Sequence, residues 1–518
     1  MMVTQPPGLS VAFVNGARLQ KNRMMDLEFN KKILPVCVLP AAFRVYSEKG
    51  HSLMRKYRAI PLITLCLVLL GAGSAFCAEG AGGGTESESE ALYELKLSLG
   101  TGLEYNDNIN ESATKKTADF IGHVKPSLYF SREGGRLKAD IQYQGDYQFY
   151  LMDRHPEEYR HYLDASFRGE LVENLFFLTV TESMKQVYGD VTRGEVYDDD
   201  SSRDTVNRNR FTVSPHLAFK PTDRTDLSLG YAFTDTRYSR NYSGSSPSFI
   251  SLNSDQYNFN YNKNQNHSVF TRVNHELTDR AIIWAGVDVT RRIDTGRSGG
   301  RTLPEYWDLA PEFYEDEERD LSFYRYMVYV GGQYEFSENL SARLRVGPSY
   351  NRPDEGDATL RPFIEMDMAY TDGRNQFGIA HNTIYDDDIY SGASIRQSQY
   401  RAWWNKTFDR ARLTTSLSYS TYSDEVGSSS NRSNNFKPTL RWTYDLTDRL
   451  SYFTQYSAVL YEKKDEGANR QYFSYGLNYT LGEDSMLRLS HMIRHTDSQG
   501  SRDAYWVNRV MLELTHQF

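Results

Sequence analysis

From Trp506 to Phe518 the sequence alternates between apolar and polar side chains with a period of two. One face of such a strand carries Val510, Leu512, Leu514, His516 and Phe518, and the other carries Arg509, Met511, Glu513, Thr515 and Gln517. Successive side chains of a β-strand point to opposite faces, so one face can contact lipid while the other contacts a polar interior. An amphipathic strand that ends in an aromatic residue is typical of the last strand of a bacterial outer-membrane barrel. We therefore predict a transmembrane β-barrel in which Phe518 is the C-terminal barrel-assembly signal.

The same alternation recurs along the chain. An early strand has Tyr93, Leu95, Leu97, Leu99, Thr101, Leu103 and Tyr105 on one face, and a later one has Leu137, Ala139, Ile141, Tyr143, Gly145, Tyr147 and Phe149. Alternation over about ten residues is the signature of a barrel strand, and its repetition counts for more than any single strand. A soluble β-propeller or adhesin with repeats of about forty residues is the alternative that this spacing leaves open.

Short and long connections alternate between the predicted strands. The short ones centre on 132–135, 172–174, 221–224, 278–280, 337–339, 371–374, 409–410, 445–448 and 482–484. The longer polar ones include 188–206, 241–256, 291–320, 386–397 and 423–434, of which 291–320 is the best candidate for a plug. Outer-membrane barrels have an even number of strands, short periplasmic turns and longer extracellular loops. We predict an all-β, antiparallel up-and-down transmembrane barrel of about 20 strands, within a range of roughly 16 to 22.

Four predicted strands that descend to a short turn share a proline. The prolines are Pro126, Pro215, Pro362 and Pro438, each followed two residues later by Leu or Ile. Proline cannot donate to the strand ladder and is expected at sheet edges or at bulges. The pattern therefore predicts internal repeats with a local bulge at each proline.

The N-terminal region carries an export signal. Arg55, Lys56 and Arg58 precede an apolar run over 60–70 and a small-residue stretch over 71–75. This order is that of a secretory signal peptide, and the apolar run is too short to span a bilayer. We assign 54–78 to the signal peptide, with translation starting at Met54, and 1–53 to a gene-model artefact or an unstructured extension. Residues 79–91 form a flexible linker, and 92–518 form the barrel.

Composition excludes several functional classes. The three cysteines, Cys37, Cys66 and Cys77, precede the mature chain, so no disulfide framework is expected. Residues 1–78 hold 10 of the 59 basic and 3 of the 68 acidic residues, so their removal lowers the formal charge from −9 to −16. A chain this acidic is a poor partner for nucleic acid. The mean hydropathy of −0.63 is too polar for a helical membrane protein, whereas a barrel exposes only alternate residues to lipid.

Short motifs in the chain resemble a known family. They are the segment from Gly102 to Ile109 (GLEYNDNI), the repeated proline strands, and the turn from Leu446 to Arg449 (LTDR). These features are similar to the β-barrel porin 2 family over about 92–518. The resemblance implies an outer-membrane barrel of Gram-negative bacteria, of a kind often linked with exopolysaccharide systems. It describes architecture and implies no catalytic residues.

The predicted inward face is rich in arginine. The candidate pore-lining residues are Arg272, Arg325, Arg343, Arg345, Arg361, Arg401, Arg441, Arg488 and Arg509. Inward acidic residues are fewer, so the acidic excess must lie in the loops. Arginine rings favour anions in a pore, whereas long cationic side chains that pair across a polar lumen would be purely structural. The sequence leaves both interpretations open.

No pattern in the sequence assigns a metal, a cofactor or a catalytic site. The acidic runs 198–200, 315–318 and 386–388 fall in predicted loops, lack the spacing of a calcium loop and are expected to be solvated. No nucleophile elbow, zinc-binding His-Glu-x-x-His sequence, phosphate loop or dinucleotide fingerprint is present. His275, His381, His491 and His516 are predicted to face lipid, where a hydrolase site is the less favoured alternative.

The predicted function is therefore an outer-membrane channel rather than an enzyme. It would serve passive diffusion or exopolysaccharide export, and a surface barrel without conductance is the alternative. The expected partners are outer-membrane lipid and lipopolysaccharide, the barrel-assembly machinery and polysaccharide-export components, with no nucleic acid.

Overall fold

The computed structural model describes residues 93–155, 157–188, 205–239, 263–295, 321–387, 394–424, 431–462, 468–498 and 503–518. These residues form twenty strands. In chain order they are β1 (Tyr93–Asn106), β2 (Asp119–Gly134), β3 (Leu137–Tyr150), β4 (Glu158–Val172), β5 (Phe176–Tyr188), β6 (Thr205–Thr222), β7 (Thr225–Ser239), β8 (Lys263–Thr278), β9 (Ala281–Asp294), β10 (Phe323–Ser337), β11 (Leu340–Pro353), β12 (Thr359–Thr371), β13 (Asn375–Asp387), β14 (Ser394–Thr407), β15 (Ala411–Asp424), β16 (Asn431–Asp445), β17 (Leu450–Tyr461), β18 (Arg470–Thr480), β19 (Ser485–Thr496) and β20 (Tyr505–Gln517). The signal peptide, the linker and residues 1–53 lie outside the described residues.

Each strand pairs antiparallel with the next, and the sheet closes on itself. Leu103 of β1 lies opposite Gly122 of β2 on one side and opposite Leu512 of β20 on the other. Closure leaves no sheet edge, which is a requirement for backbone that lies in lipid. The predicted antiparallel up-and-down barrel of about 20 strands is confirmed.

Contacts between strands that are not neighbours identify the inward face. Lys125 of β2 lies 2.5 Å from the Glu513 carboxylate of β20, across β1. Arg272 of β8 donates to the Tyr329 hydroxyl of β10 at 3.0 Å, across β9. Two side chains can meet over an intervening strand only on the concave side of the sheet. The period of two then places every other residue of each strand inside the barrel.

The outward face is apolar and exposed. Its members include Leu344, Val328, Leu417 and Leu512, whose exposed fractions are 46%, 51%, 49% and 47%. Outward aromatic side chains form two bands. Tyr105 and Phe120, Tyr147 and Tyr159, and Tyr326 and Tyr350 pair near the end with the longer connections, and Tyr334 and Phe336, Tyr370 and Phe377, and Phe408 and Trp442 pair near the short turns.

Apolar side chains outside, polar side chains inside and two aromatic girdles are the features of a barrel that lies in the bacterial outer membrane. The predicted localisation in the outer membrane is confirmed. Within the described ranges, no helix is long and apolar enough to cross a bilayer.

Nine tight connections join the strand pairs at one end, which in barrels of this kind faces the periplasm. We call it the short-turn end and the opposite end the loop end. In the turn between β12 and β13 the Asp372 carboxylate accepts hydrogen bonds from the backbone and side-chain nitrogens of Asn375, at 2.7 and 3.0 Å. These hydrogen bonds hold the pKa of Asp372 below its usual range. A side chain that replaces backbone partners in this way stabilises a tight turn.

Several strands extend further into the predicted loops than expected. β9 continues to Asp294, β13 to Asp387 and β14 from Ser394, so the boundaries 291–320 and 386–397 are wrong at those ends. The strands of a hairpin continue beyond the lipid-facing apolar band for as long as their backbone N–H and C=O groups form hydrogen bonds with each other. Most of the plug candidate, 296–320, lies outside the described residues.

The predicted bulges at the prolines are wrong. Pro126, Pro215, Pro362 and Pro438 all lie on the outward face, and each pairs in register with the strand before it. The pairing with the next strand is interrupted around Pro126, Pro215 and Pro438, then resumes with no shift of register. The missing N–H breaks the ladder locally without adding a residue. Register shifts between β4 and β5, β6 and β7, β8 and β9, and β10 and β11 lie beside the short turns, and another lies near the loop end between β15 and β16.

The segment that follows β1 joins the first strand to the last. The Asp107 carboxylate accepts from the backbone N and the side-chain Nδ2 of Asn508 on β20, at 2.7 and 2.8 Å. Asn108 donates through Nδ2 to the carbonyl oxygens of Trp506 and Ser112, both at 2.9 Å. The GLEYNDNI motif therefore contributes hydrogen bonds that tie β1 to β20 where the barrel closes.

Candidate functional site

All nine candidate arginines lie on the inward face of the barrel, as the strand registers require. Their partners divide them into three groups. Arg345 and Arg509 pair with carboxylates, and Arg272, Arg325 and Arg361 bond to hydroxyls or amides. Arg343, Arg401, Arg441 and Arg488 lie against aromatic rings. The arginines predicted to line the pore therefore differ in the groups that they contact.

The paired arginines belong to local ionic contacts in the wall. Arg345 reaches Glu365 through Nε and Nη2 at 2.9 and 2.6 Å. Arg509 lies 3.0 Å from Glu104, and both side chains are at most 10% exposed. A charge compensated at this distance contributes little field to a passing solute.

Arg509 and Glu104 are part of a larger, mostly buried group at the junction of β20 with β1–β3. His123 lies 3.4 Å from Glu104 and 3.0 Å from Asp146. We call these four residues, with the pair Lys125 and Glu513, the seam cluster. Basic and acidic side chains alternate through it.

The opposite composition occurs on β14–β19. These six strands contain ten basic residues and only two acidic ones, Asp424 and Asp445, each at the last position of its strand. Arg470 is the first residue of β18, and the inward Arg494 pairs with Glu111 at 2.6 Å. The five other inward cations of these strands are Arg401, Arg412, Lys437, Arg441 and Arg488. Among the described residues, none of the five has a carboxylate within 4.0 Å. We call this group the basic arc.

Polar but uncharged side chains surround the basic arc. Thr414, Ser416, Ser418 and Ser420 occupy successive inward positions of β15, and Thr439, Gln455, Ser474 and Asn478 follow on β16–β18. Hydroxyl and amide groups hydrogen-bond to water or to a solute without neutralising the cations. The arc therefore forms a hydrophilic surface with a net positive charge.

A repeated arrangement of glycine, aromatic ring and arginine supports the wall. Phe270, Trp284, Tyr329, Trp403 and Phe453 each lie directly opposite an inward glycine on the adjacent strand: Gly230, Gly331, Gly286, Gly378 and Gly476. A Cβ on any of these glycines would lie between 2.3 and 2.8 Å from the ring, so the ring occupies that space. Arg272, Arg343, Arg345, Arg401 and Arg488 lie over the same rings at 4.7 to 5.3 Å from their centroids.

An aromatic side chain that covers a glycine on the next strand fills a gap in the sheet surface. Each covering ring also positions a guanidinium by cation–π attraction. This arrangement is not among the features predicted from the sequence. Glycines at inward strand positions opposite aromatic residues are the signal for it, and that signal becomes visible only once the register of the two strands is known.

Side chains meet across the lumen at the loop end. Arg208 of β6 donates from Nη1 to both carboxylate oxygens of Asp386 on β13, at 2.9 and 3.0 Å, although six strands separate them. The guanidinium of Arg470 on β18 lies 5.3 Å from the ring centroid of Tyr188 on β5. The solvated-loop interpretation of Asp386 is therefore wrong, because its carboxylate is held by arginine. These contacts narrow the lumen at this end.

The outward histidines are hydrogen-bonded to neighbouring groups. His491 contacts the Tyr475 hydroxyl at 2.9 Å, His275 contacts Thr225 at 3.0 Å, and His516 contacts Ser485 at 2.9 Å. His381 is only 7% exposed and contacts the Ile364 carbonyl oxygen of β12 at 3.1 Å, so the prediction that it faces lipid is wrong. A polar group that faces lipid is costly unless it is hydrogen-bonded, which accounts for the contacts of the other three. No cluster of metal-ligating side chains occurs in the part of the chain that the structure describes.

No protein-family profile matches the chain, so the resemblance to the β-barrel porin 2 family stays a prediction. No curated protein matches the sequence. Similar solved structures include the apoprotein form of the FrpB iron transporter from Neisseria meningitidis, at 10% identity and a TM-score of 0.46, which covers 82% of this chain and 81% of that one. The copper transporter OprC has 11% identity and a TM-score of 0.48, with coverage of 84% and 82%. The siderophore receptor PirA from Pseudomonas aeruginosa has 11% identity and a TM-score of 0.41, with coverage of 82% and 80%. These values are too low to indicate a substrate, and the fold rests on the strand pairing.

Proposed function

We propose that this barrel is a channel of the outer membrane through which hydrophilic anions pass more readily than cations. The observation that carries the proposal is the basic arc, whose five inward cations have no carboxylate within 4.0 Å among the described residues. Uncompensated fixed charge on an aqueous wall raises the local concentration of counter-ions. A solute that follows β14–β19 meets positive charge between the two ends of the barrel.

The width of the barrel supports an aqueous path. Barrels of sixteen to eighteen strands leave a water-filled channel, and this one has twenty strands. The contact between Arg208 and Asp386 narrows the loop end, so we expect the conductance to be smaller than the strand number alone implies. An outer-membrane barrel of this type is inserted by the assembly machinery, for which Phe518 is the proposed signal, and it lies among lipid and lipopolysaccharide.

Export of an acidic polysaccharide is the second candidate function. The inward face of β15 from Thr414 to Ser420 carries only small hydroxyl side chains, between the larger Arg401 and Trp403 of β14 and Lys437 and Arg441 of β16. A strand rises about 3.4 Å per residue, so this track is about 20 Å long. Hydroxyls beside cations suit an extended sugar chain with carboxylate groups. The resemblance to the porin 2 family favours the same role.

The test is the reversal potential of the purified mature protein in a planar bilayer under a salt gradient. We expect selectivity for chloride over potassium. Changing Arg412, Arg441 and Arg488 together to Gln is expected to move the reversal potential towards that of cations. Selectivity should also weaken as salt rises, because the Debye length falls from about 8 Å at physiological salt to about 3 Å at 1 M.

A matched triple variant separates free charge from paired charge. Changing Arg343, Arg345 and Arg361 to Gln removes the same formal charge from another part of the inward face. Arg345 is paired with Glu365, so its removal also frees an acid. A barrel that is cation-selective from the outset contradicts the proposal, as does a reversal potential that neither triple variant moves. Absence of conductance favours the surface barrel without a channel.

A further inference from the structure

We propose that Arg412, Arg441 and Arg488 form a fixed binding site for a doubly charged oxyanion, such as phosphate or sulfate, near the short-turn end of the lumen. The site deepens the proposed function, since it lies on the same wall and needs a lumen that solute can enter. It differs from general anion selectivity, because a fixed site saturates and distinguishes one anion from another.

Two of the three guanidiniums converge on one ring. Arg441 on β16 and Arg488 on β19 are three strands apart, which is about 14 Å at the spacing of adjacent strands. Their guanidinium carbons nevertheless lie 5.9 and 4.7 Å from the centroid of the same ring, Phe453 of β17. Both side chains therefore lean towards each other over β17 and β18.

The floor of the site is built by Phe453 and Gly476. The ring lies directly opposite Gly476 on β18 and is only 2% exposed. A Cβ at position 476 would lie 2.8 Å from the ring, so only glycine leaves room for it. A buried, closely packed ring restricts the two guanidiniums above it, which lowers the entropy cost of holding a ligand.

Arg412 supplies the third cation. It faces Thr443 on β16, two residues from Arg441, and side chains at such diagonal positions are within reach of each other. The charges of Arg412 and Arg488 both act on Arg441. The side chains of Arg412 and Arg441 are exposed in the lumen, so a solute can reach them.

Nothing in the described wall compensates this charge. No carboxylate lies within 4.0 Å of the three guanidiniums in the described ranges, and Nε of Arg488 is buried without a hydrogen-bond partner. The nearest acid in the register is Glu513, directly opposite Arg488, but its carboxylate is held by Lys125. Arg441 and Arg488, which lie over the same ring, repel each other unless an anion lies between them.

The chemistry of the site favours an oxyanion with two charges. Each guanidinium presents parallel N–H donors that match two oxygens of a phosphate or sulfate group. Several donors from different strands then surround one tetrahedral anion. Chloride cannot use this geometry. It is a single spherical acceptor, whereas each planar guanidinium presents two parallel donors that match two separate oxygen atoms.

The test is isothermal titration of the purified mature barrel with sodium phosphate, sodium sulfate and sodium chloride at constant ionic strength. We expect saturable binding of phosphate and sulfate and no saturable binding of chloride. The double change Arg441→Gln and Arg488→Gln is expected to weaken phosphate binding at least about tenfold, since a hydrogen bond to a charged group contributes roughly 1.5–3 kcal/mol.

Arg168→Gln is the matched control. Arg168 is an inward arginine of β4 whose guanidinium lies 5.4 Å from the centroid of one ring, Phe177, with no second guanidinium on that ring among the described contacts. Phosphate binding should be unchanged in this variant. Equal weakening in both variants would mean that phosphate responds only to the overall charge of the lumen, and the site would be wrong.

Calorimetry and conductance together separate the two proposals. An anion-selective channel that binds phosphate no better than chloride contradicts the site and leaves the proposed function intact. Saturable phosphate binding that depends on Arg441 and Arg488, in a barrel without conductance, supports the site and contradicts the channel. Circular dichroism of each variant verifies that the barrel is folded before either result is interpreted.

Discussion

The seam and the basic arc are two parts of one wall that use charge in different ways. β20 and β1–β4 contain ten acidic and seven basic residues, whereas β14–β19 contain two acidic and ten basic ones. In the seam cluster, Arg509 lies 3.0 Å from Glu104, and their side chains are 10% and 4% exposed. In the basic arc, Arg412 and Arg441 are exposed and have no carboxylate within 4.0 Å among the described residues.

The difference separates charges that are paired within the wall from charges that we propose act on a solute. Buried charges are tolerated only when they are paired, so the seam cluster needs both signs and breaking a pair is costly. Exposed charges in an aqueous lumen remain hydrated and need no partner. The sequence left two alternatives open, paired structural groups and a selective wall. The first describes the seam cluster, and the second is what we propose for the basic arc.

The largest expected effect is on stability at the seam. Glu104→Gln removes one partner of a buried pair and is expected to lower the free energy of unfolding by about 3–5 kcal/mol. Arg441→Gln in the basic arc is expected to change it by less than about 0.5 kcal/mol. Both values are measured by urea unfolding of the barrel refolded in lipid vesicles. Similar costs for the two variants would remove the distinction between the regions.

The next effect tests the assignment of faces, on which both regions depend. Leu344 is outward and 46% exposed, and Arg343 beside it is inward. Leu344→Arg is expected to cost about 2–4 kcal/mol near the middle of the membrane, and Arg343→Gln is expected to leave folding intact. Unfolding in vesicles gives both values. Equal tolerance at the two positions would mean that the strand is displaced by one residue.

The sequence predicted the faces well because a period of two is a local property. The inward or outward position of Tyr143, Gln142 and Leu344 follows from their own strands. The partners of each arginine depend on the register between strands, and in the case of Arg208 and Asp386 on strands 178 residues apart in the chain. Alternation does not contain this information, so the division into paired and uncompensated arginines was not predictable. The prediction of a bulge at each proline was wrong for a related reason. Two paired strands can lose a hydrogen bond at a proline and still keep their register.

A smaller effect is expected where the seam register is set. A slip of two residues between β1 and β20 keeps every side chain on its own face, so alternation alone does not exclude it. The two hydrogen bonds from Asn508 to Asp107 exclude the slipped register. Asp107→Ala is expected to cost about 1.5–3 kcal/mol, the contribution of a hydrogen bond to a charged group.

The register between β1 and β20 is measured by disulfide trapping. Thr101 lies opposite Leu514, so the pair Thr101→Cys and Leu514→Cys reports the native register, and Thr101→Cys with Leu512→Cys reports the slipped one. The predicted mature chain has no cysteine to interfere, because Cys37, Cys66 and Cys77 precede it. We expect the slipped pair to cross-link only when Asp107 is replaced. Cross-linking of the native pair alone in both backgrounds would assign the register to other contacts.

The smallest expected effect links the two regions. Lys125 of the seam holds the Glu513 carboxylate, and Glu513 lies directly opposite Arg488 of the basic arc. If Lys125→Gln releases that carboxylate, Glu513 can turn to Arg488 and neutralise its charge.

The loss of one lumen cation by itself shifts selectivity slightly. The matched control is therefore Lys437→Gln, which removes a cation that is not paired with an acid in the described ranges. We expect Lys125→Gln to lower stability less than Glu104→Gln does, because the Lys125 and Glu513 side chains are 22% and 17% exposed, more than the Glu104 pair. Lys437→Gln breaks no ion pair among the described residues and is expected to change stability by less than about 1 kcal/mol. Phosphate affinity should fall more for Lys125→Gln than for Lys437→Gln, although Lys125 lies outside the arc. An equal fall in phosphate affinity would indicate that Lys125 is not what keeps the Glu513 carboxylate from pairing with Arg488. The two regions of the wall would then act independently.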